Sequence, residues 1–366
     1  MTIQHASDEW VSPTIFEVDS STEMQDLLRS LDVPQCIDAV QYIADDMFEL
    51  HHPDLMHDPA SRAAFVGEIL QQGPAFGRWV HYPWSDALVR FAEPDVHFDL
   101  RTYRNRNLIG KDEQGELRRR RIAVFGLSVG SNVVDKTVQA GIGDEYLLFD
   151  HDRLSPTNLN RIHATMAQVG LLKTTIAGRK MAELDPYVVQ RHFTGGYDGD
   201  TDAILRRQPP DLIVEEVDNL EVKARIRSIA KELRVPVVMA GDVGDRSTID
   251  IERYDDEDVM PFNGKLSSEE AEALSLGTLP QEHQLNVLIK MLGRENISQV
   301  LLDSVLLKGK ELAGTPQLGT TAAIGGALAS VAIREIFLKR TVKSSSNLVD
   351  AVQVVASAPL SNAALH

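Results

Sequence analysis

The sequence predicts an α/β fold: a doubly wound, mostly parallel, Rossmann-like sheet preceded by a smaller acidic α or α+β module. Three observations carry this expectation. From about residue 104, short apolar runs alternate with stretches of helical period. The runs end in a glycine or a carboxylate. A glycine-bearing turn also follows the first run and leads straight into a helix. Short buried strands separated by helices mark a parallel sheet covered on both faces.

Residues 1–103 form the first block, with helical patterns at 21–31 and 37–50 and an aromatic stretch from Trp79 to Trp84. Residues 1–100 hold 18 Asp/Glu against four Arg and no Lys, so they carry −14 of the chain's net −17. Such a field repels nucleic-acid phosphates and anionic membranes and attracts a basic peptide or protein, although a solubilising surface has the same composition. The nucleotide-type block covers 104–340. Strands are expected at 122–125, 146–149, 212–214 and 235–240, and helices at 174–184 and 221–233. Residues 256–340 read as irregular and then helical, ending in an Ala/Gly-rich helix at 320–338. Residues 341–366 are a tail, part of which reads as a terminal strand.

No run of 18 apolar residues occurs, because 322–337 is interrupted by Gly325, Gly326, Arg334 and Glu335; no membrane span is expected. The first ten residues lack a signal-peptide pattern, which points to the cytoplasm. The single cysteine, Cys36, excludes an internal disulfide and a cysteine zinc cage, and is expected to be a small buried apolar residue.

The chemistry-bearing positions follow the strand ends. After the first strand comes Gly126, Leu127, Ser128, Val129, Gly130, Ser131. Glycine there lets the backbone approach a phosphate, and the following helix offers unpaired N–H groups. Alone, such a turn also reads as an ordinary strand-to-helix connection. The second strand ends in Asp150, His151 and Asp152, where an acid is placed to accept from ribose hydroxyls. Asn158, Asn160, Arg161 and Lys173 come next, then Glu215, Glu216, Asp218 and Asn219. Two cations and a carboxylate suited to a hard metal ion form a clamp for a triphosphate, which a nicotinamide dehydrogenase does not need.

These runs resemble the ThiF/MoeB/ubiquitin-activating superfamily of adenylating enzymes. The family's Asp-x-Asp-x-Val-x-x-Ser-Asn-Leu-x-Arg segment corresponds to Asp150 through Arg161. Its Gly-x-x-Lys corresponds to Gly170 and Lys173. Its Asp-x-x-Asp-Asn appears with Glu215 first and Asp218 and Asn219 last. Its upstream Arg-x-x-Arg-Gln becomes Arg104, Asn105, Arg106, Asn107. The resemblance implies ATP and magnesium. Gly126, Ser128, Gly130, Asp150, Asp152, Asn158, Asn160, Arg161, Lys173, Asp218 and Asn219 would lie about the nucleotide. Arg161, Lys173 and Asp218 would be catalytic, with Asp218 on the metal and Arg106 acting as an arginine finger across a homodimer interface.

The chain departs from the family pattern at Ser128 and Val129, where relatives often have glycines, and at Lys223, in place of an arginine. With no cysteine in the nucleotide block, neither a thioester nor a paired-cysteine zinc site is expected there. The pattern then resembles the precursor-peptide-modifying branch, including pantocin-type enzymes of antibiotic biosynthesis. In that branch an activated Glu side chain or C-terminus is captured by a nucleophile within the peptide, and an N-terminal module grips the substrate. Activation of a ubiquitin-like or sulfur-carrier protein is the alternative substrate class. A nucleotide-sensing scaffold is the non-enzymatic alternative.

Overall fold

The computed structural model describes residues 9–356. Its N-terminal part runs β1 (Thr14–Phe16), α1 (Ser21–Leu31), β2 (Gln35–Ile37), α2 (Val40–His51), α3 (Pro59–Gln71), β3 (Arg78–Tyr82), β4 (Ala87–Phe91) and α4 (Pro94–Thr102). Helix α1 starts where Ser20 accepts from the Glu23 backbone N–H and Glu23 reaches back to the Asp19 N–H. One orphan donor of the first turn and the N–H just before the cap are thereby satisfied. The four strands order as β1-β3-β4-β2, and the aromatic stretch Trp79–Trp84 contributes β3. Cys36 departs from expectation: it is exposed. It lies on β2, a three-residue edge strand that pairs only with β4 and buries no side chain.

The chain continues through α5 (Lys111–Arg118), β5 (Arg121–Phe125), α6 (Gly130–Gln139), β6 (Glu145–Phe149), α7 (Lys173–Leu184), β7 (Val189–Phe193), α8 (Thr201–Arg207), β8 (Leu212–Glu215), α9 (Leu220–Leu233), β9 (Val237–Val243) and β10 (Arg246–Glu252). It ends with α10 (Ser268–Ser275), α11 (Gln281–Leu292), α12 (Gln299–Leu307), α13 (Gly319–Phe337), β11 (Ser345–Asp350) and α14 (Ala351–Ala356). The second sheet has seven strands in the order β11-β10-β9-β8-β5-β6-β7. Strands β9, β8, β5, β6 and β7 are mutually parallel, while β10 and β11 add an antiparallel edge. The fold class read from the sequence is therefore the one observed. Part of the segment set apart as a tail is the edge strand β11.

Alternation along β5 explains why the sheet needs helices on both sides. Ile122 and Val124 face a core with α6 and α13, whereas Ala123 and Phe125 face one with α9. Phe125, Phe149 and Phe193 stack at 4.2 and 4.3 Å across three strands on the second face. Helix α13 is long and apolar enough to cross a membrane by length and composition. Here it packs against α6, β9 and β10. The chain leaves β5 toward β6 and β7 and later returns to β8 on the other side, so the crevice between the β5 and β8 loops is the topological switch point where ligands bind in such sheets.

Candidate nucleotide site

Gly126 opens the turn at that crevice with φ +84°. A Cβ there would fall 2.4 Å from the Glu216 carbonyl oxygen, so the β5 and β8 loops can approach this closely only without a side chain. The adjacent Leu127 N–H donates to Asp150 Oδ2 at 2.6 Å, and the Asp152 N–H donates to Asp150 Oδ1 at 2.7 Å. Asp150 thus ties the end of β6 to the glycine turn. It is buried, and burial pushes its carboxyl above the usual range despite the nearby Lys173 ammonium.

Lys173 is the first residue of α7 and only 8% exposed. Its ammonium meets Asp152 Oδ2 at 2.7 Å, and its backbone N–H donates to the Asp152 carbonyl at 2.9 Å. Burial pushes the Asp152 carboxyl up, but the hydrogen bond and charge of Lys173 more than offset this and hold it below its ordinary value. Asp150, His151 and Asp152 offer ligand atoms within 4.8 Å of one another.

Arg161 closes the other side. Its Nε donates to Ser128 Oγ at 3.0 Å, and its Nη1 to the Thr157 carbonyl and Asn160 Oδ1 at 3.2 and 3.0 Å. Ser128, which departs from the family's glycine, therefore positions the guanidinium. Burial lowers the Arg161 pKa, while Asp218 and Asp242 oppose that shift. Asp218 is exposed at the loop between β8 and α9. Gly126, Ser128, Gly130, Asp150, Asp152, Arg161, Lys173 and Asp218 all gather at the carboxyl ends of β5, β6 and β8.

Three other candidates make structural hydrogen bonds. Asn158 accepts from the Ser155 N–H at 3.0 Å and closes its own turn. Asn219 caps α9 by accepting from Val222 at 3.1 Å. Asn160 donates to the Gln317 carbonyl at 2.8 Å, tying the Arg161 segment to the approach of α13. Arg106 stands apart. It stacks over Tyr103 at 4.7 Å and lines a 510 Å³ cavity with Asp144 and Arg118, at the amino ends of the strands rather than the carboxyl ends.

Residues behind the crevice matter here too, and Arg227, Glu252 and Asp242 among them lie beyond the sequence reading. Glu215 is fully buried between Lys223 (2.9 Å) and Arg227 (2.6 Å), and Arg227 also meets Glu252 at 2.8 Å. Lys223 thus balances Glu215. Glu216 accepts from the Ala240 N–H at 2.6 Å, and burial drives its carboxyl well above the ordinary range. Asp242, near the end of β9, is raised to about 6 by burial, with Arg161 opposing and Asp218 reinforcing the shift. A carboxylate just past Gly241, where a parallel strand ends, was the signal available in the sequence for Asp242.

The family model described as ThiF family matches residues 102–351. The uncharacterized protein MT1398 of Mycobacterium tuberculosis (strain CDC 1551 / Oshkosh) is 34% identical over 277 residues, which are 75% of this chain and 38% of that protein. Ubiquitin-like modifier-activating enzyme 5 of Arabidopsis thaliana is 30% identical over 139 residues, 34% of this chain and 32% of that one. The chain thus spans between about a third and two fifths of the length of these curated relatives. Among solved structures, that of selenomethionine PaaA is similar with a TM-score of 0.49 and 17% identity, covering 70% of this chain and 77% of the other.

Proposed function

The chain belongs to the ThiF family, and from that premise we propose that it is an ATP- and magnesium-dependent adenylating enzyme acting on a carboxylate of a ribosomally made peptide. The observation that carries this is the gathering of Arg161 and Lys173 about the Gly126–Gly130 turn, through the contacts Arg161–Ser128, Lys173–Asp152 and Asp150–Leu127, with the charge of Asp218 acting on Arg161. Backbone N–H groups at the head of α6 and the two cations suit a triphosphate. A substrate carboxylate oxygen attacks the α-phosphorus, the bond from that phosphorus to the bridging oxygen of the β-phosphate breaks, and pyrophosphate leaves. Arg161 and Lys173 neutralise the charge that develops, and Asp218 would hold the magnesium ion, which screens the phosphates when bound. A nucleophile within the peptide then displaces AMP.

The acidic N-terminal module suits a basic segment of the substrate. Arg106 lies at the far end of the sheet, so a place for it at the phosphates requires Arg106 from a second copy of the chain. The likeness to ubiquitin-like modifier-activating enzyme 5 favours one alternative substrate, the C-terminus of a small carrier protein.

The test is pyrophosphate release from ATP and magnesium in the presence of candidate peptides or carriers, with mass spectrometry locating the adenylate. Lys173→Ala and Asp218→Ala should each slow release by roughly 100-fold or more. Turnover at the original rate in either variant rejects that residue's role.

A further inference from the structure

One carboxylate at the crevice has no partner. Both oxygens of Asp242 are buried and neither meets a donor. Buried polar groups in folded proteins are nearly always satisfied, and a bound ion is one of the things that complete an exception.

The fold determines what lies beside it. Strands β8 and β9 pair in parallel with Val214 next to Val238. Strand β8 ends at Glu215, and Asp218 follows in the loop beyond it, near enough to Asp242 for its charge to act there. The Ala240 N–H, donating to Glu216 at 2.6 Å, ties β9 to the start of that loop. Side chains alternate along β9, so Asp242 shares its face with Ala240, which packs on Val129 and Ala322. The carboxylate therefore lies on the side of the glycine turn and of the first residues of α13. Arg161 and Asp218 are the charged groups that act on it. Arg161 directs its hydrogen bonds to Ser128, Thr157 and Asn160 instead.

The charge balance points the same way. Asp150 and Asp152 lie by Lys173, and Asp218 and Asp242 by Arg161, while Lys173 is already paired with Asp152. A triphosphate brought into such a pocket needs further positive charge, and unpaired carboxylate oxygens are the donors a hard divalent cation prefers.

We propose that Asp242 is a second carboxylate ligand, beside Asp218, for the divalent cation that accompanies the triphosphate. This rests on the ATP-dependent activity proposed above. The test uses the full chain with Mn²⁺ as the metal probe, read by electron paramagnetic resonance and by calorimetry, with and without a non-hydrolysable ATP analogue. Asp242→Asn keeps the shape and removes the charge. It should weaken Mn²⁺ binding by about tenfold or more, as should Asp218→Asn, while binding of the analogue in EDTA is not weakened by Asp242→Asn. Wild-type Mn²⁺ affinity in Asp242→Asn overturns the assignment. If the wild-type chain binds no ATP analogue, the ATP-dependent activity fails instead. The Mn²⁺ titration without nucleotide then decides the role of Asp242 by the same criterion.

Discussion

Gly126 shows how one residue can set a site. Its φ of +84° and the 2.4 Å approach a Cβ would make to the Glu216 carbonyl both forbid a side chain. The obstructing atoms are backbone, so they cannot rotate away. Gly126→Ala should therefore cost at least about 1–3 kcal/mol of stability and separate the β5 and β8 loops. Chemical denaturation measures the first effect, and an unchanged unfolding midpoint would refute it. At the same scale, the Asp150 carboxylate accepts two backbone N–H bonds, so its contribution to the site includes holding the turn as well as any contact with a ribose.

Among the elements, α13 has the most specific fit. A Cβ on Gly319 would fall 2.1 Å from the Asn160 carbonyl oxygen, and one on Gly326 would fall 2.6 Å from the Asn132 Cβ. Asn132 in turn donates to the Arg161 carbonyl at 3.1 Å. The head of α13, α6 and the Arg161 segment thus form one packed unit, and the small residues of this helix serve close approach. Gly319→Ala should displace the segment and with it the guanidinium. We expect KM for ATP to rise by roughly tenfold or more, since small misplacements are costly, while the circular dichroism spectrum keeps its helical content. Steady-state kinetics at an unaltered KM would show that the helix does not position Arg161.

At the scale of the whole molecule, the N-terminal module is fastened to α7 and the residues after it. The Tyr82 hydroxyl donates to the Ala182 carbonyl at 2.8 Å, the Trp84 indole to Glu183 at 2.6 Å, and Arg101 pairs with Asp185 at 2.7 Å. Trp10 stacks on His192 of β7 at 4.4 Å, and burial lowers that imidazole to about 4 from 6.5. Because the folded value lies below the unfolded one, only the unfolded chain takes up the proton between pH 6.5 and about 4. This contribution is flat above pH 6.5, and stability falls as pH drops through the window. The melting temperature of His192→Phe should fall less than that of the wild type between pH 7 and 4.5. Parallel curves for the two proteins would count against it.

The strands β5, β6 and β8, the helix α1 and the turn at Gly126 were legible because each is written in local pattern: a short apolar run, a cap, a glycine where the chain reverses. The family's residue order likewise marked Arg161, Lys173 and Asp218, since spacing along the chain survives folding. The partners of these residues were not legible. Ser128 holding Arg161, Lys223 neutralising Glu215 and Asp242 left without a donor all depend on which segments lie side by side. The remoteness of Arg106 and the exposure of Cys36 have the same origin. Local sequence specifies periodicity and chemistry, whereas burial, charge pairing and register arise only when segments up to a hundred residues or more apart are packed together.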